Sequence, residues 1–373
     1  MTARTLVFLG CLNQAVPHFE TANGKGISVF AFDEKTGALT WLTDTVDVPN
    51  PTYLVVLPAR GMLYATSEVF GWREGLISAY RIDPASGALI LVGSRQSTHG
   101  SLSVHCNTDR LGTCAFVANY SHETPGEEPG RHVVSFSIKA DGSLTPATSE
   151  FAHHEAGPLA DRQAVPHPHC VVPGPDNRFA IVPDLGGDQL VTYRIDAINR
   201  RLAQTDGALL RMPPGSGPRH LVFHPDGATA YVINELGNTV CRLGYENDSG
   251  TLRLLQSVNG PPQNAAPSYP ADLFVSADGR FLYATFRGVN SIGTYALAEE
   301  GGTILTAARR DSGGKTPRSF TLSPSGKFML VANQDSDALV VLRLDPDSGQ
   351  PVEQVDVVSV GTPMCVKAAR FEL

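Results

Sequence analysis

Arg219 and Glu235 are the first pair of residues in the sequence that could do chemistry together. They lie in the segment SGPRHLVFHPDGATAYVINELGNTV (216–240), in which two short apolar runs flank a Pro-Asp-Gly turn. The midpoint between them is Gly227, inside that turn, so they face each other if the segment folds as an antiparallel hairpin. A guanidinium can bind an anionic group, and a nearby carboxylate can accept a proton. The pair therefore indicates acid–base chemistry on a small molecule.

Three further hairpins place polar residues at the end remote from their turns. The paired positions are Ala271 with Arg287, Arg318 with Gln334, and His169 with Asp184. Because all these pairs have the same relation to their turns, we expect them at one end of the fold. The candidate site residues at this end are Glu68, Tyr120, His167, His169, Asp184, Arg219, Asn234, Glu235, Arg287, Arg318, Asn333 and Gln334. Convergent polar groups in a cleft are typical of a small-molecule site.

The hairpins belong to a repeat that fills the chain. Each unit has an apolar strand that follows a Pro, a Gly-containing turn, a second apolar strand and then two further strands. The first strands follow Pro51, Pro168, Pro218, Pro270, Pro317 and Pro363, and a seventh unit has Leu102 in place of the Pro. Four strands in a unit of roughly 50 residues are typical of a β-propeller blade. The sequence predicts an all-β, seven-bladed β-propeller with four antiparallel strands per blade, formed by one domain over residues 1–373.

The two ends of the chain each hold part of a blade. Pro363 is followed by one strand, MCVKAARF, whereas the N-terminal region has TLVFLGC, GISVFAF and GALTWL without a first strand. We expect the strand near Val366 to pair with the strand near Val7, which closes the ring and removes exposed sheet edges. The first strand of each blade lines the central channel, so the candidate residues surround one mouth of that channel.

Composition and charge narrow the function classes. The chain has 42% hydrophobic residues and a formal net charge of −8, which gives no general attraction for nucleic acid or an anionic membrane. The opening MTARTLVFLGCLNQ has a shorter apolar run than a signal peptide, and no run is long enough to span a membrane. Six cysteines without a C-x-x-C favour a reduced cytoplasm. We expect a cytoplasmic protein, a monomer or weak homo-oligomer, that needs no cofactor.

The segment 216–240, together with RQAVPHPHCVVPGPDNRFAIVPDLGGDQLVTYRID (162–196) and VANYS (117–121), resembles the seven-bladed propeller lactonase family. That family contains bacterial propeller-type 6-phosphogluconolactonases and fungal carboxymuconate lactonising enzymes, and the resemblance covers essentially the whole chain. It implies a site at the channel mouth formed by His169, Arg219, Glu235 and Arg287. The acidic insertion SHETPGEEPGRH (121–132) departs from the family pattern, and we expect it to overhang the mouth and influence which lactone enters.

Opening a lactone requires a base that activates water, positive charge that stabilises the oxyanion, and a proton for the leaving alcohol. We predict Glu235 or His169 as the base, with Arg219 and Arg287 holding the oxyanion and any anionic group of the substrate. These four are the predicted catalytic residues. The other candidates are predicted to bind the lactone, which is the only partner that we expect.

Three alternatives remain open from the sequence. A cycloisomerase or lactone isomerase could use the same residues on a carboxylated substrate, with His169 or Glu235 handling the proton. A non-catalytic propeller scaffold needs no acid–base set in its channel, and the chain lacks the WD signature. A metal-dependent lactonase would use ligands such as Glu68 and Asn333, but the arginines place positive charge where the cation would bind. We therefore predict no metal site.

Overall fold

Seven antiparallel sheets surround a central channel in the computed structural model of the protein, which describes residues 3–17, 19–121, 130–261 and 266–372. Residues 122–129, and with them most of the predicted loop over the mouth, lie outside the described residues. The described residues form no α-helix and have 3₁₀ turns at Pro58–Arg60 and Gln334–Ser336. The predicted seven-bladed propeller is confirmed.

The strands follow one another blade by blade. The N-terminal strands are β1 (Ala3–Cys11), β2 (Ile27–Phe32) and β3 (Leu39–Thr45). Blade 1 has β4 (Leu54–Leu57), β5 (Met62–Ser67), β6 (Leu76–Ile82), β7 (Leu89–Leu91) and β8 (Gln96–Ser97). Blade 2 has β9 (Ser103–Thr108), β10 (Cys114–Asn119), β11 (Val133–Ile138) and β12 (Leu144–Phe151). Blade 3 has β13 (Val172–Pro173), β14 (Phe179–Asp184), β15 (Gln189–Asp196) and β16 (Arg201–Arg211).

The later blades continue in the same order. Blade 4 has β17 (Pro218–Phe223), β18 (Thr229–Asn234), β19 (Thr239–Glu246) and β20 (Thr251–Asn259). Blade 5 has β21 (Ser268–Val275), β22 (Phe281–Gly288), β23 (Ser291–Leu297) and β24 (Ile304–Asp311). Blade 6 has β25 (Pro317–Leu322), β26 (Phe328–Asn333), β27 (Ala338–Leu344) and β28 (Pro351–Ser359). The last strand is β29 (Pro363–Glu372), which completes blade 7 with β1, β2 and β3.

Apolar side chains on both faces of each blade hold the ring together. Successive side chains of a strand point to opposite faces, and β1 shows this directly: Leu6 and Phe8 pack toward blade 1, whereas Val7 and Leu9 pack toward blade 6. One hydrophobic cluster of the described residues lies at each of the seven interfaces between blades. The second strand of a blade is buried on both faces, which explains why it reads as an apolar run.

The ring closes through the two ends of the chain. Strand β29 pairs with β1 in antiparallel register from Ala3 opposite Glu372 to Cys11 opposite Pro363. The predicted pairing of the C-terminal and N-terminal strands is therefore confirmed. One blade differs in detail, because the outer strand of blade 1 is interrupted and both β7 and β8 pair with β6.

A register shift near the start of several inner strands decides which side chains reach the channel. In blade 4, Pro218 pairs with Asn234 but His220 pairs with Ile233, so Arg219 is an extra residue in a bulge. Comparable shifts follow Pro270 in β21 and Pro317 in β25. The pairings predicted from the midpoint of each turn assumed hairpins without bulges. The predicted strand register is therefore wrong at these places.

The shift has two consequences for the mouth, which is the channel end where Thr52, His169, Arg219 and Arg318 lie. Arg287 pairs with Tyr269 and not with Ala271, the predicted partner. Consecutive side chains of β17 also both bond to blade 5. Arg219 Nε donates to the Ala271 carbonyl at 2.8 Å, and His220 Nδ1 donates to Asp272 Oδ1 at 2.9 Å.

Candidate active site

Three arginines surround the carboxylate of Glu235, which follows β18 at the mouth. Arg219 Nη1 is 2.5 Å and Arg287 Nη2 is 2.9 Å from Glu235 Oε2. Arg162 Nη2 donates to Glu235 Oε1 at 2.8 Å. Glu235 and Arg219 are each only 4% exposed. The structure therefore brings together three of the four predicted catalytic residues in one buried ionic cluster.

The arginines control the ionisation of Glu235. Burial by itself would raise the pKa of this carboxyl, but Arg287, Arg219 and Arg162 together hold the pKa well below its usual value. Glu235 is therefore a carboxylate at neutral pH, and each of its oxygens already has a cationic partner. Such a group positions guanidinium groups well and accepts a proton poorly.

Arg162 is the site residue that the hairpin arithmetic missed. It lies between β12 and β13, outside any strand, and its side chain is 35% exposed. The hydroxyl of Tyr120 lies beside it. The one signal for Arg162 in the sequence was its place at the start of RQAVPHPHC, the stretch that also contains His167 and His169.

His169 is buried at the mouth and contacts other rings. Its imidazole packs edge-on against Tyr120 at 5.6 Å and against His220 at 5.3 Å between ring centroids. Tyr120 in turn stacks on His167 at 4.0 Å, and Nδ1 of His167 lies 2.7 Å from the Tyr120 carbonyl. Burial, followed by the charge of Arg219, holds the pKa of His169 well below its usual value. His169 is therefore neutral at neutral pH.

A small cavity at the mouth is lined by residues that have unpartnered polar atoms. Thr52 Oγ1, Glu68 Oε2 and His169 Nδ1 are buried without a hydrogen-bond partner among the described residues. All three residues line a cavity of about 10 Å³, together with Arg318. A buried polar atom without a protein partner can be satisfied by a ligand or an ordered water, so these three atoms can hold a small polar molecule.

Arg318 differs from the other arginines at the mouth in its polar contacts. Within the described parts of the chain its guanidinium has no hydrogen bond or ion pair, and it lies over the ring of Phe19 at 5.1 Å. Burial and the charge of Arg219 lower the pKa of Arg318 to about 9, and Glu68 partly opposes this shift. Arg318 is therefore a cation whose hydrogen-bond donors remain available to a ligand.

The predicted amide residues bond mainly to protein groups near the ends of the second strands. Asn234 Nδ2 donates to Thr239 Oγ1 at 2.8 Å, and Asn333 Nδ2 donates to the Ser312 carbonyl at 3.1 Å. Gln334 Nε2 donates to the neighbouring Asp335 at 2.8 Å. These contacts fix local loops, so the structure does not bring the three amide groups together around the cavity.

Asp184 is similarly engaged, and it supports the segment that carries His167 and His169. Its Oδ1 accepts the backbone N–H of His167 at 2.8 Å, and its Oδ2 lies 2.7 Å from His153 Nδ1. His153 also bonds through Nε2 to the hydroxyl of Tyr193 at 2.8 Å. The buried chain Tyr193–His153–Asp184 was not predicted, because its members come from different strands and loops.

The described residues contain no group of three or more His, Cys, Asp or Glu side chains placed to hold a metal ion. All six cysteines are buried and free. In the same described ranges, no helix has the length and apolar character needed to cross a membrane.

Comparisons with known proteins agree with the fold. Residues 13–368 match the family described as Lactonase, 7-bladed beta-propeller. The chain is 32% identical to the 6-phosphogluconolactonase of Bacillus subtilis over 352 residues, which cover 94% of this chain and 96% of that protein. It is 30% identical to the 6-phosphogluconolactonase of Formosa agariphila over 330 residues, covering 88% and 90% of the two chains.

A solved structure gives the same relationship. The periplasmic gluconolactonase of Pseudomonas aeruginosa has a TM-score of 0.88 and 34% identity to this chain, and the match covers 98% of this chain and 99% of that one. The family match spans nearly the whole chain, and the ring closes through both chain ends. The protein therefore belongs to the seven-bladed β-propeller lactonase family.

Proposed function

We propose that the protein hydrolyses a sugar lactone at the mouth of its channel. The observation that carries this proposal is the neutral imidazole of His169 in a small cavity beside Arg219 and the unpartnered Arg318. Relatives named 6-phosphogluconolactonase and gluconolactonase support a sugar lactone as the substrate class.

The charge of the mouth suits this reaction. The mouth is locally positive although the whole chain has a formal net charge of −8. The carboxylates of Glu68 and Glu235 interact there with four guanidinium groups, those of Arg162, Arg219, Arg287 and Arg318. Preorganised cations in a buried site stabilise the negative charge that develops on a carbonyl oxygen. The same arginines can bind a carboxylate or phosphate group of the substrate through their forked donors.

His169 handles the proton in this mechanism. It accepts a proton from water as the water oxygen bonds to the carbonyl carbon, and the carbonyl electron pair moves to the oxygen that the arginines stabilise. The ring C–O bond then breaks, and the imidazolium returns its proton to the leaving alkoxide. The lowered pKa of His169 makes its imidazolium a strong acid, which favours the second transfer.

Of the two bases that the sequence predicted, the geometry favours His169. Both oxygens of Glu235 are bonded to arginines, whereas Nδ1 of His169 has no hydrogen-bond partner among the described residues and is free to accept a proton. Glu235 instead fixes Arg162, Arg219 and Arg287 in position around the substrate.

A panel of lactones tests the proposal. Glucono-δ-lactone, 6-phosphoglucono-δ-lactone and muconolactone are followed by proton release against a control for spontaneous hydrolysis. We expect turnover of a sugar lactone that persists in EDTA and falls about 10²–10⁴-fold in His169→Asn. The exposed His99 provides the control variant His99→Asn. Failure to accelerate any sugar lactone would contradict the proposal, and conversion of muconolactone alone would favour the cycloisomerase alternative.

A further inference from the structure

Glu68 is a buried carboxylate whose side chain has no hydrogen-bond partner in the part of the chain that the structure describes. It follows β5 at the mouth, and its backbone is fixed because its N–H donates to the Asn50 carbonyl and its carbonyl accepts Asn50 Nδ2, both at 3.0 Å. The residue is 8% exposed, and Oε2 is fully buried. Within the described ranges its carboxylate makes no hydrogen bond and no ion pair within 4.0 Å.

The two glutamates at the mouth, Glu68 and Glu235, differ in the partners of their carboxylates. Glu235 is held by three arginines, whereas Glu68 interacts electrostatically with Arg318, a residue that has no hydrogen bond or ion pair of its own among the described residues. Leaving a buried carboxylate unpaired is unfavourable unless a ligand or water completes its bonding. Glu68 is therefore arranged to interact with a group that enters the mouth.

The size of the cavity identifies that group. Glu68, Thr52 and His169 all line one cavity of about 10 Å³, and each has a buried polar atom without a partner among the described residues. This is about the smallest volume that admits one water molecule, and a buried water requires two to four polar partners. A sugar lactone is too large for this space and must lie above it, against the arginines.

We propose that Glu68 is a further catalytic residue, which holds the attacking water in this cavity together with His169. The proposal rests on the lactone hydrolysis proposed above. One O–H of the water donates to Glu68 and the other to His169. The second O–H bond breaks as the water oxygen bonds to the carbonyl carbon, and His169 later returns that proton to the leaving alkoxide. The O–H that faces Glu68 becomes the acid proton of the product, and Glu68 accepts it and releases it to solvent.

Steady-state kinetics of Glu68→Gln and Glu68→Ala test the assignment on whichever lactone the wild type hydrolyses. We expect kcat to fall about 10²-fold in both variants while KM stays within about twofold, since the water and not the substrate loses its partner. Formate, a small carboxylate that can occupy the vacated space, should raise kcat of Glu68→Ala about tenfold and leave Glu68→Gln unchanged. The matched control is Glu74→Gln, an exposed glutamate in the loop that follows Glu68, with thermal melts to confirm folding.

The outcomes separate the two proposals. A wild type that hydrolyses lactones, with kcat in Glu68→Gln within about threefold of it, overturns the role of Glu68 alone. A rise in KM at unchanged kcat also overturns it, because that result assigns Glu68 to substrate binding. A wild type that hydrolyses no lactone overturns the proposed function and this inference with it. Loss of kcat with rescue by formate supports both.

Discussion

At the scale of single residues, the ion pairs around Glu235 affect the stability of the fold. Three guanidinium groups converge on one carboxylate, and Glu235 compensates the charges of Arg219 and Arg287, whose side chains are largely buried. Removing one partner of a buried ion pair leaves an uncompensated charge, which is more costly than losing an exposed pair. The effect of a substitution therefore depends on how many charges it leaves unpaired.

Glu235→Gln should destabilise the protein more than Arg219→Met. The first change leaves three arginines without their carboxylate and should lower the free energy of unfolding by about 3–5 kcal/mol. The second leaves Glu235 with Arg162 and Arg287 and should lower it by about 1–3 kcal/mol. Denaturant unfolding of both variants and of the double variant measures this, and the double loss should be less than the sum. Equal and small losses would show that the cluster is not a stabilising unit.

Buried histidines give the stability a distinct pH dependence. Burial is the main cause that lowers the pKa of His105, His169 and His220. Nearby positive charge lowers these pKa values further, from Lys367 at His105 and from Arg219 at His169. At His220, the carboxylate of Asp272 partly opposes the shift. Below the usual value of 6.5 the unfolded chain takes up protons that the folded protein does not, so stability falls as pH falls.

We therefore expect the free energy of unfolding to decrease between about pH 6.5 and about pH 5, by up to about 1.4 kcal/mol per pH unit for each histidine. Urea unfolding across this range measures the slope. His105→Gln should flatten it, and an unchanged slope in that variant would remove His105 from the explanation.

At the scale of elements, the inner strands and their bulges place two successive side chains in the channel. In β17 this puts Arg219 in the ionic cluster and His220 against Asp272 of β21. Strand β13 has only two residues, and the segment before it pairs with β14 through an isolated bridge between Pro168 and Asp184, so its position also depends on side chains. Asp184, at the end of β14, supplies that support through the backbone N–H of His167.

Asp184→Asn should lower both stability and kcat. The amide has one acceptor oxygen where the carboxylate accepts from the His167 N–H and Gln189 Nε2 and bonds to His153. We expect a loss of about 1–3 kcal/mol in unfolding free energy and a lower kcat, because His169 is less well positioned. Asp248→Asn, on a fully exposed side chain, is the control. A large stability loss with unchanged kcat would show that Asp184 does not position His169.

At the scale of the whole molecule, the ring depends on one pairing between distant parts of the sequence. Strand β29 pairs with β1 and contributes to the clusters at both interfaces of blade 7, through Cys365, Ala369 and Phe371 on one side and Val366 on the other. Without β29, blade 7 loses its inner strand, and the edge of β1 is exposed to the channel.

Deletion of residues 364–373 should abolish cooperative unfolding, measured by circular dichroism melts. A circular permutant is the matched control, because β1 and β29 bring the chain ends together at Ala3 and Glu372. Joining these ends through a short linker and opening the chain at the exposed turn after Glu300 should preserve a cooperative melt. A truncated protein that still unfolds cooperatively would show that the ring does not require closure.

The sequence by itself determined the propeller, its blade number, its closure and the placement of the candidate residues at one mouth. These features depend on short-range patterns that recur in every unit: apolar strands, Gly turns and a Pro before the inner strand. His169, Arg219, Glu235 and Arg287 were found in the same way, because their distance from a turn or their motif marks the same end of each blade.

Only the tertiary structure decided which partners these residues have. A bulge is one extra residue in a ladder, and nothing in the apolar pattern distinguishes it from a regular pair. The carboxylate of Glu235 is bonded to arginines, whereas Glu68 Oε2 has no hydrogen-bond partner among the described residues. This difference depends on side chains from other parts of the chain. Arg162 enters the site from a loop that follows no repeat. Such contacts arise between residues far apart in the chain, and only packing of the closed ring sets their distances.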